Sequence, residues 1–342
     1  MMPRLGPLIA LFGCSAILIS PGTATATVAT DELPQELSVV TWNLEWFYDD
    51  FAADTRSDLA RRKSAPSRDD WDWKRQAVAR VLAELDADIV CLQEVENRNV
   101  VYRLIQDIEK DHGIRYRYAF VDGFDFGTEQ DVAILYRNGL VEFSRREQSA
   151  TMYDSGDYYN LSKHLIGRFQ WGKGDQTCSL VIFNGHLRAM PDKAELRQRQ
   201  GRLIHYWMKD LLERGENVIV TGDFNTEEDF GQETPAGEVS IIRGLIDDSP
   251  TDDLLDAHAH IPEDRRVTHI NGRQYDRIFY SPALGRDEPG IADPVFVGAD
   301  VRRDLVVQGE MDQDHWTDYY GLPAEERDIS DHYPVIARFE IR

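Results

Sequence analysis

The chain has 342 residues, 42% of them hydrophobic, and its 38 Lys and Arg stand against 61 Asp and Glu for a formal net charge of −23. With 14 Phe, 14 Tyr and 7 Trp it carries enough apolar material for a packed core, which excludes a disordered chain. The charge excludes a protein that holds nucleic acid or an anionic membrane through a broad basic surface, so any phosphate chemistry must be local, with a metal or a few basic residues supplying the attraction.

Residues 1–26 read as a secretory signal, with Arg4 the one charge, an apolar stretch from Leu8 to Ile19, and Ala24-Thr25-Ala26 as a small-x-small cleavage site. Cleavage is expected after Ala26, leaving 27–342 as a single domain in the periplasm or the medium. Leu11-Phe12-Gly13-Cys14 has roughly the shape of a lipid-attachment box, but Phe12 is bulky for it and the apolar run continues past Cys14. No later stretch approaches the ~20 apolar residues of a membrane span, so no stable membrane association is expected. Cys91 and Cys178 lie in apolar runs and read as buried free thiols. Two cysteines cannot build a structural thiolate site, so a metal here would take oxygen and nitrogen ligands.

Apolar runs rich in Val, Ile, Phe and Tyr predict strands at 38–42, 88–92, 132–136, 178–183, 218–221, 277–280 and 335–339. Spacings of three and four predict helices through Trp73, Ala77, Val81, Leu82 and Leu85, and through Leu196, Leu203, Ile204, Trp207, Met208 and Leu211, with Gly215 as a stop. The stretches 48–69, 153–160, 228–238 and roughly 282–328 read as loops. Strands alternate with helices over the first two thirds and no repeat or flexible linker divides the chain, which describes one α/β domain.

Polar groups cluster where the predicted strands end. Asn43 and Glu45 follow the first, Glu94 the second, Asn184-Gly185-His186 a third, and Gly222-Asp223-Phe224-Asn225 a fourth. Tyr275-Asp276 and Ser330-Asp331-His332 precede the last two. Open α/β sheets bind ligands at such edges. Asp331 and His332 come before their strand, so that strand must run antiparallel to reach the same edge, and a mixed sheet follows. Carboxylate and amide oxygens suit magnesium, calcium or manganese, and two histidines with spare carboxylates suit proton transfer. Each residue alone is more often a turn or a solvated carboxylate; it is their joint occurrence that points to phosphoryl transfer.

Thr41-Trp42-Asn43, Leu92-Gln93-Glu94-Val95, Gly185-His186, Gly222-Asp223-Phe224-Asn225, Tyr275-Asp276-Arg277-Ile278 and Ser330-Asp331-His332-Tyr333-Pro334 resemble the ordered motifs of the endonuclease/exonuclease/phosphatase superfamily, from about residue 38 to 341. Gln93-Glu94-Val95-Glu96-Asn97 and Val132-Ala133-Ile134-Leu135-Tyr136-Arg137 resemble its secreted bacterial nuclease-like members. The resemblance implies a four-layer α/β sandwich, two packed mixed β-sheets flanked by helices. It implies that Asn43, Glu94 and Asp331 hold a divalent cation, Mg2+ or else Mn2+ or Ca2+, with Glu45 close by. Asp223 and Asn225 would position the water and the scissile phosphate, or bind a second ion. His332 would be general base or phosphate donor with Asp276 orienting it, and His186 would donate to the phosphate or protonate the leaving oxygen. Two positions depart from the pancreatic-type pattern: Gln130 stands where a glutamate supports the histidine matching His186, and Glu96 where an arginine enters the minor groove.

The function expected is a secreted metal-dependent phosphodiesterase acting on DNA or RNA, a monomer with no protein partner implied. A phospholipid or sugar phosphoesterase and a non-catalytic binding protein on the same scaffold are the alternatives. Arg98, Arg115, Arg117, Arg188, Arg197 and Arg199 are available for phosphate, although such isolated arginines are more often solvated helix or loop charges. Phe124, Phe126 and the Tyr158-Tyr159 pair are available for base stacking, although core packing is the commoner role of such aromatics.

Overall fold

The computed structural model describes residues 32–174, 176–309, 315 and 318–342. Residues 1–26, expected to be a signal, and Cys14 within them lie outside the described residues. In chain order the first half contains β1 (Glu36–Phe47), α1 (Asp58–Lys63), α2 (Arg68–Leu85), β2 (Ile89–Val95), α3 (Arg98–His112), β3 (Arg117–Phe120), β4 (Asp131–Tyr136), β5 (Leu140–Ser144), α4 (Ala150–Ser155) and β6 (His164–Lys173). The second contains β7 (Gln176–His186), α5 (Ala194–Glu213), β8 (Val218–Asp223), α6 (Glu238–Arg243), β9 (Leu255–Asp256), β10 (Asp276–Tyr280), β11 (Pro294–Val301) and β12 (Val335–Ile341).

The strands form two six-stranded sheets, ordered β11-β12-β1-β2-β4-β3 and β5-β6-β7-β8-β10-β9. Both are mixed, with β1 parallel to β2 and β7 parallel to β8 among otherwise antiparallel neighbours. β12 runs antiparallel to β1, as the placement of Asp331 and His332 requires. The strand ends that residue patterns assign to one edge are shared between two sheets, β1, β2 and β12 in the first and β7, β8 and β10 in the second.

Side-chain alternation explains the layering. On β7, Leu180 and Ile182 join the cluster between the sheets, whereas Val181 and Phe183 pack with Leu203, Ile204 and Trp207 of α5. β8 divides likewise, Ile219 inward and Val218 and Val220 toward α5. α2 buries Trp71, Val78, Val81 and Leu82 against the first sheet's cluster. Its first turn is capped by Ser67, whose hydroxyl accepts from the Asp70 amide. The fold is therefore helix, sheet, sheet, helix. Cys91 and Cys178 are buried free thiols, and burial pushes Cys178 up to about 12. No helix among the described residues is long and apolar enough to cross a membrane.

Asn184, on the inward face of β7, ties the sheets together. Its Nδ2 donates to the carbonyls of Leu92 (3.1 Å) and Ala133 (3.0 Å), and its Oδ1 accepts from Gln93 Nε2 at 2.7 Å. Replacing it by Leu removes a partner from the buried polar groups of Leu92, Gln93 and Ala133 on the first sheet, so Asn184→Leu is expected to cost roughly 1–3 kcal/mol of unfolding free energy. Urea denaturation compared with wild type measures it, and an unchanged midpoint would show that the bridge carries no stability.

Some expected loops are structured. α1 lies within 48–69, and β11 lies within 282–328, where its half-exposed, polar-interrupted sequence hides it. The edge strands β3 and β5 are short and only half-buried, so they lack the apolar run that marks a central strand.

Candidate active site

The site forms where both parallel pairs end. Asn43 sits opposite Gln93 at the last regular β1–β2 pairing, and the register then breaks before Phe47 pairs with Val95. In the break Glu45 and Trp46 take φ of 49° and 47°, and Glu94 takes 58°. Such left-handed geometry is costly for these residues and persists only where the surroundings impose it. The site's own side chains impose it here. Asn43 Oδ1 accepts from the Glu45 amide and Glu94 Oε2 from the Trp46 amide, each at 2.9 Å. In the other sheet His186 pairs with Asp223, one residue beyond Gly185 and Gly222. Gly222 has φ 139°, and a Cβ there would lie 1.9 Å from the Gly185 carbonyl oxygen, so a side chain would push the two strands apart at the site.

Asp223 is the hub. Its Oδ2 accepts from Asn43 Nδ2 at 2.8 Å across the sheets, and its Oδ1 accepts from the Asn225 amide at 2.9 Å. Oδ2 also lies 3.6 Å from His186 Nε2 and 3.7 Å from His332 Nε2. Asp276, opposite Asp223 across β8 and β10, accepts from His332 Nδ1 at 2.7 Å, which turns Nε2 toward the hub. The loop carrying Asp331 and His332 is pinned to β1: Ser330 Oγ donates to the Asn43 carbonyl at 2.8 Å, and Trp42 Nε1 to the His332 carbonyl at 3.0 Å. His186 Nε2 is 3.9 Å from Glu94 Oε1. Asn43, Glu94, His186, Asp223, Asn225, Asp276, Asp331 and His332 are thus brought to one place by six strands.

Burial and charge give the two histidines opposite states. Burial, and next Lys163, lower His186 to about 3, so it is a neutral imidazole at neutral pH. Burial would also lower His332, but the carboxylates of Asp276, Asp223 and Asp331 outweigh it and hold its pKa well above the ordinary histidine value. For Asp223, burial is outweighed by the charge on His332 and by the donors from Asn43 and the Asn225 amide, and its pKa falls below that of a free carboxylate. Burial, then repulsion from Asp331, raises Glu94 to about 7.

A model described as the Endonuclease/Exonuclease/phosphatase family matches residues 40–332. The chain belongs to that family. Endonucleases, exonucleases and phosphatases, the activities in that family's name, all cleave phosphoesters. Among curated proteins it is similar to DNA-(apurinic or apyrimidinic site) endonuclease 2 of Homo sapiens, 30% identical over 174 residues, covering 44% of this chain and 33% of that protein. It is also similar to Protein angel of Drosophila melanogaster, 26% identical over 163 residues, covering 46% and 44%. The chain thus spans less than half the length of these relatives. Similar solved structures include TDP2 from C. elegans (TM-score 0.52, 15% identity, 89% of this chain and 74% of that one). Another is D. rerio TDP2 complexed with a single strand DNA product (0.51, 16%, 90% and 100%). A third is an endonuclease/exonuclease/phosphatase from Beutenbergia cavernae (0.53, 15%, 90% and 72%). At these identities the shared property is the fold.

Within this family member, several residues at the site escape sequence reasoning. Lys163, just before β6, is buried, its carbonyl accepting from the His186 amide at 2.9 Å and its Nζ donating to Gln130 Oε1 at 3.0 Å. Gln130 therefore pairs with Lys163 rather than supporting His186, whose Nδ1 has no hydrogen-bond partner among the described residues. On the other flank the buried Lys74 donates to the Ile329 carbonyl at 2.6 Å. Burial lowers it to about 8 against the pull of Glu45 and Asp331. His269 forms a bridge with His332, and its Nδ1 accepts from the Asn271 amide at 3.1 Å, so the Nε2 proton faces Asp331 Oδ2 at 3.5 Å. His315 Nε2 lies 2.7 Å from Glu45 Oε2, and that same oxygen accepts from the Asp331 amide at 3.0 Å. Only the pairing of distant loops identifies these residues; none sits in a motif.

Acidic groups that suit a divalent cation converge on Asp331. Among the described residues, Glu45, His315 and Asp331 form one compact set of donor atoms, and His269, Asp331 and His332 another. Glu94 stands across from them, close enough for Asp331 to raise its pKa. Glu96 turns inward, accepting from the Asp49 amide at 2.9 Å, so it closes the loop after β1.

Proposed function

We propose that the chain is a secreted, divalent-metal-dependent phosphodiesterase that cleaves nucleic acid by in-line attack of water on phosphorus. The observation that carries this reading is Asp223, an ionised carboxylate bonded to Asn43 and the Asn225 amide and within 3.7 Å of both His186 and His332. The relatives' names, an apurinic endonuclease and a TDP2 with a single strand DNA product, favour nucleic acid as substrate. Secretion rests on the signal-like residues 1–26.

The donor set fits a hard cation. Crowded, buried carboxylate oxygens raise one another's pKa, as Asp331 does that of Glu94, and a bound divalent ion relieves that repulsion. Asn43, Glu94 and Asp331 would hold it, Mg2+ foremost, with Glu45 adjacent. When bound, such an ion supplies Lewis-acid stabilisation of charge on the phosphoryl and leaving oxygens, which lets a chain of net charge −23 act on an anion. Asp223 and Asn225 orient the attacking water, and Asp223 takes its proton as the new P–O bond forms and the ester P–O bond breaks. His332, held as an imidazolium by Asp276, donates from Nε2 to the developing charge, and neutral His186 donates from the opposite side.

The test is a panel of plasmid DNA, single-stranded DNA, RNA, sphingomyelin and a chromogenic phosphodiester, with Mg2+, Mn2+ or Ca2+ and with EDTA. Metal-dependent loss of a polynucleotide, absent in His332→Ala, is expected. Turnover of sphingomyelin alone would move the function to lipid phosphoesters, and no turnover at all would leave a binding protein.

A further inference from the structure

Beside His186 lies a cleft of about 280 Å³ lined by Phe124, Tyr159, Lys163, His186 and Arg188 among others. Resting on the nuclease reading above, we propose that this cleft is a subsite for one nucleotide of a single-stranded polynucleotide, with Phe124 and Tyr159 as stacking surfaces and Arg188 as the contact for the neighbouring phosphate.

The rings sit in the open, contrary to the core-packing role expected of them. Phe124 is 55% and Tyr159 42% exposed, and Phe126 beside them is 70% exposed. Each lining ring is backed by a guanidinium, Arg145 at 4.9 Å from the Phe124 centroid and Arg199 at 5.5 Å from that of Tyr159. Both guanidinium groups are anchored, Arg145 on the Asp122 carbonyl at 2.9 Å and Arg199 on the Tyr158 carbonyl at 3.0 Å. Neither arginine lines the cleft. Rings held in this way are preformed platforms for a base.

Arg188 supplies the charge. It is exposed, and among the described residues its guanidinium has no hydrogen bond or ion pair, whereas its backbone amide and carbonyl are bonded to Gln200 and Arg197. It follows His186 by two residues, at most about 7 Å of chain, which suits the phosphate next to the one being cut. The volume lies at the lower edge of small-ligand clefts, about 300–1,000 Å³, and fits one unit rather than a large ligand.

The chemistry selects a single strand. A base reaches an aromatic platform only when unstacked, and a duplex would need the broad basic surface that this chain lacks. A choline headgroup also favours aromatic rings, but of the charges lining the cleft Lys163 is paired with Asp125 at 3.5 Å, which leaves Arg188 to repel a quaternary ammonium.

The experiment measures Kd for a fluorescently labelled oligo(dT) strand and for a duplex of equal length, in EDTA, with the full chain. Phe124→Ala/Tyr159→Ala is expected to weaken strand binding by about 5- to 150-fold per stacked base, and Arg188→Ala to weaken it with a shallower salt dependence. Phe124→Tyr/Tyr159→Phe, which keeps both rings, is expected to retain affinity, separating loss of stacking from damage to the fold. Unchanged Kd in the alanine variants of an enzyme that cuts polynucleotides overturns the subsite and leaves the nuclease reading standing. A wild-type chain that binds no strand and hydrolyses sphingomyelin overturns both, and tighter binding of duplex than of single strand overturns the strand preference.

Discussion

Asp223→Ala is expected to lower kcat by about 10²–10⁴-fold, the range for loss of a proton-transferring group, with the fold retained. Among the described residues no other carboxylate reaches Asn43, the Asn225 amide and both histidines, so nothing there replaces it. The variant also removes one of three carboxylates that raise His332, which fixes the sign of a pH effect. If imidazolium is the working form, activity is lost as pH rises through the His332 pKa. Removing a carboxylate lowers that pKa, so the alkaline limb of residual kcat moves to lower pH; Asp276→Asn moves it the same way. An acid limb that shifts instead would identify neutral His332 as the base and reverse the roles assigned to the pair.

Glu94→Gln is expected to weaken divalent-ion binding by roughly 10²-fold, at or beyond the upper end of the 10–100-fold effect of removing an outer partner of a metal ligand. Titration calorimetry measures it directly. Because burial and Asp331 raise Glu94 to about 7, protons compete with the ion. In wild type, affinity falls by up to about tenfold per pH unit below 7, and raising the metal concentration moves the acid limb of activity to lower pH. Folding follows the same linkage. A carboxyl raised above its unfolded value contributes stability below about pH 4.3 that is lost as pH rises through 7. Mg2+ should therefore raise Tm more at pH 7.5 than at pH 5.5, and Glu94→Gln should abolish the difference. An equal shift at both pH values would place the ion elsewhere.

Much of this was legible in the chain. The runs of Val, Ile and Phe mark the central strands other than β6 because a strand buried on both faces has no room for polar residues, whereas Arg168 and Gln170 interrupt β6. The polar residues that end them stand out for the same reason: Asn43, Glu94, His186 and Asp223 each close an apolar run. That Asp331 and His332 precede their strand required β12 to run antiparallel. Edge strands such as β3, β5 and β11 were not legible, since a half-exposed strand mixes polar and apolar residues as a loop does.

The sequence by itself determined the central strands other than β6, the chemistry of their ends and an acidic charge that confines anion binding to a small area. Only the tertiary structure decided that those ends belong to two sheets, bridged at Asn43 and Asp223, and that Lys163, Lys74, His269 and His315 surround them. It also decided that His186 is neutral and His332 charged, and that Phe124 and Tyr159 face solvent beside the site. The reason is that a pattern of apolar residues records burial along one strand, whereas pKa values, cross-sheet hydrogen bonds and the exposure of a loop ring depend on which distant segments meet. Those meetings are set by packing of the whole core, which no local stretch encodes.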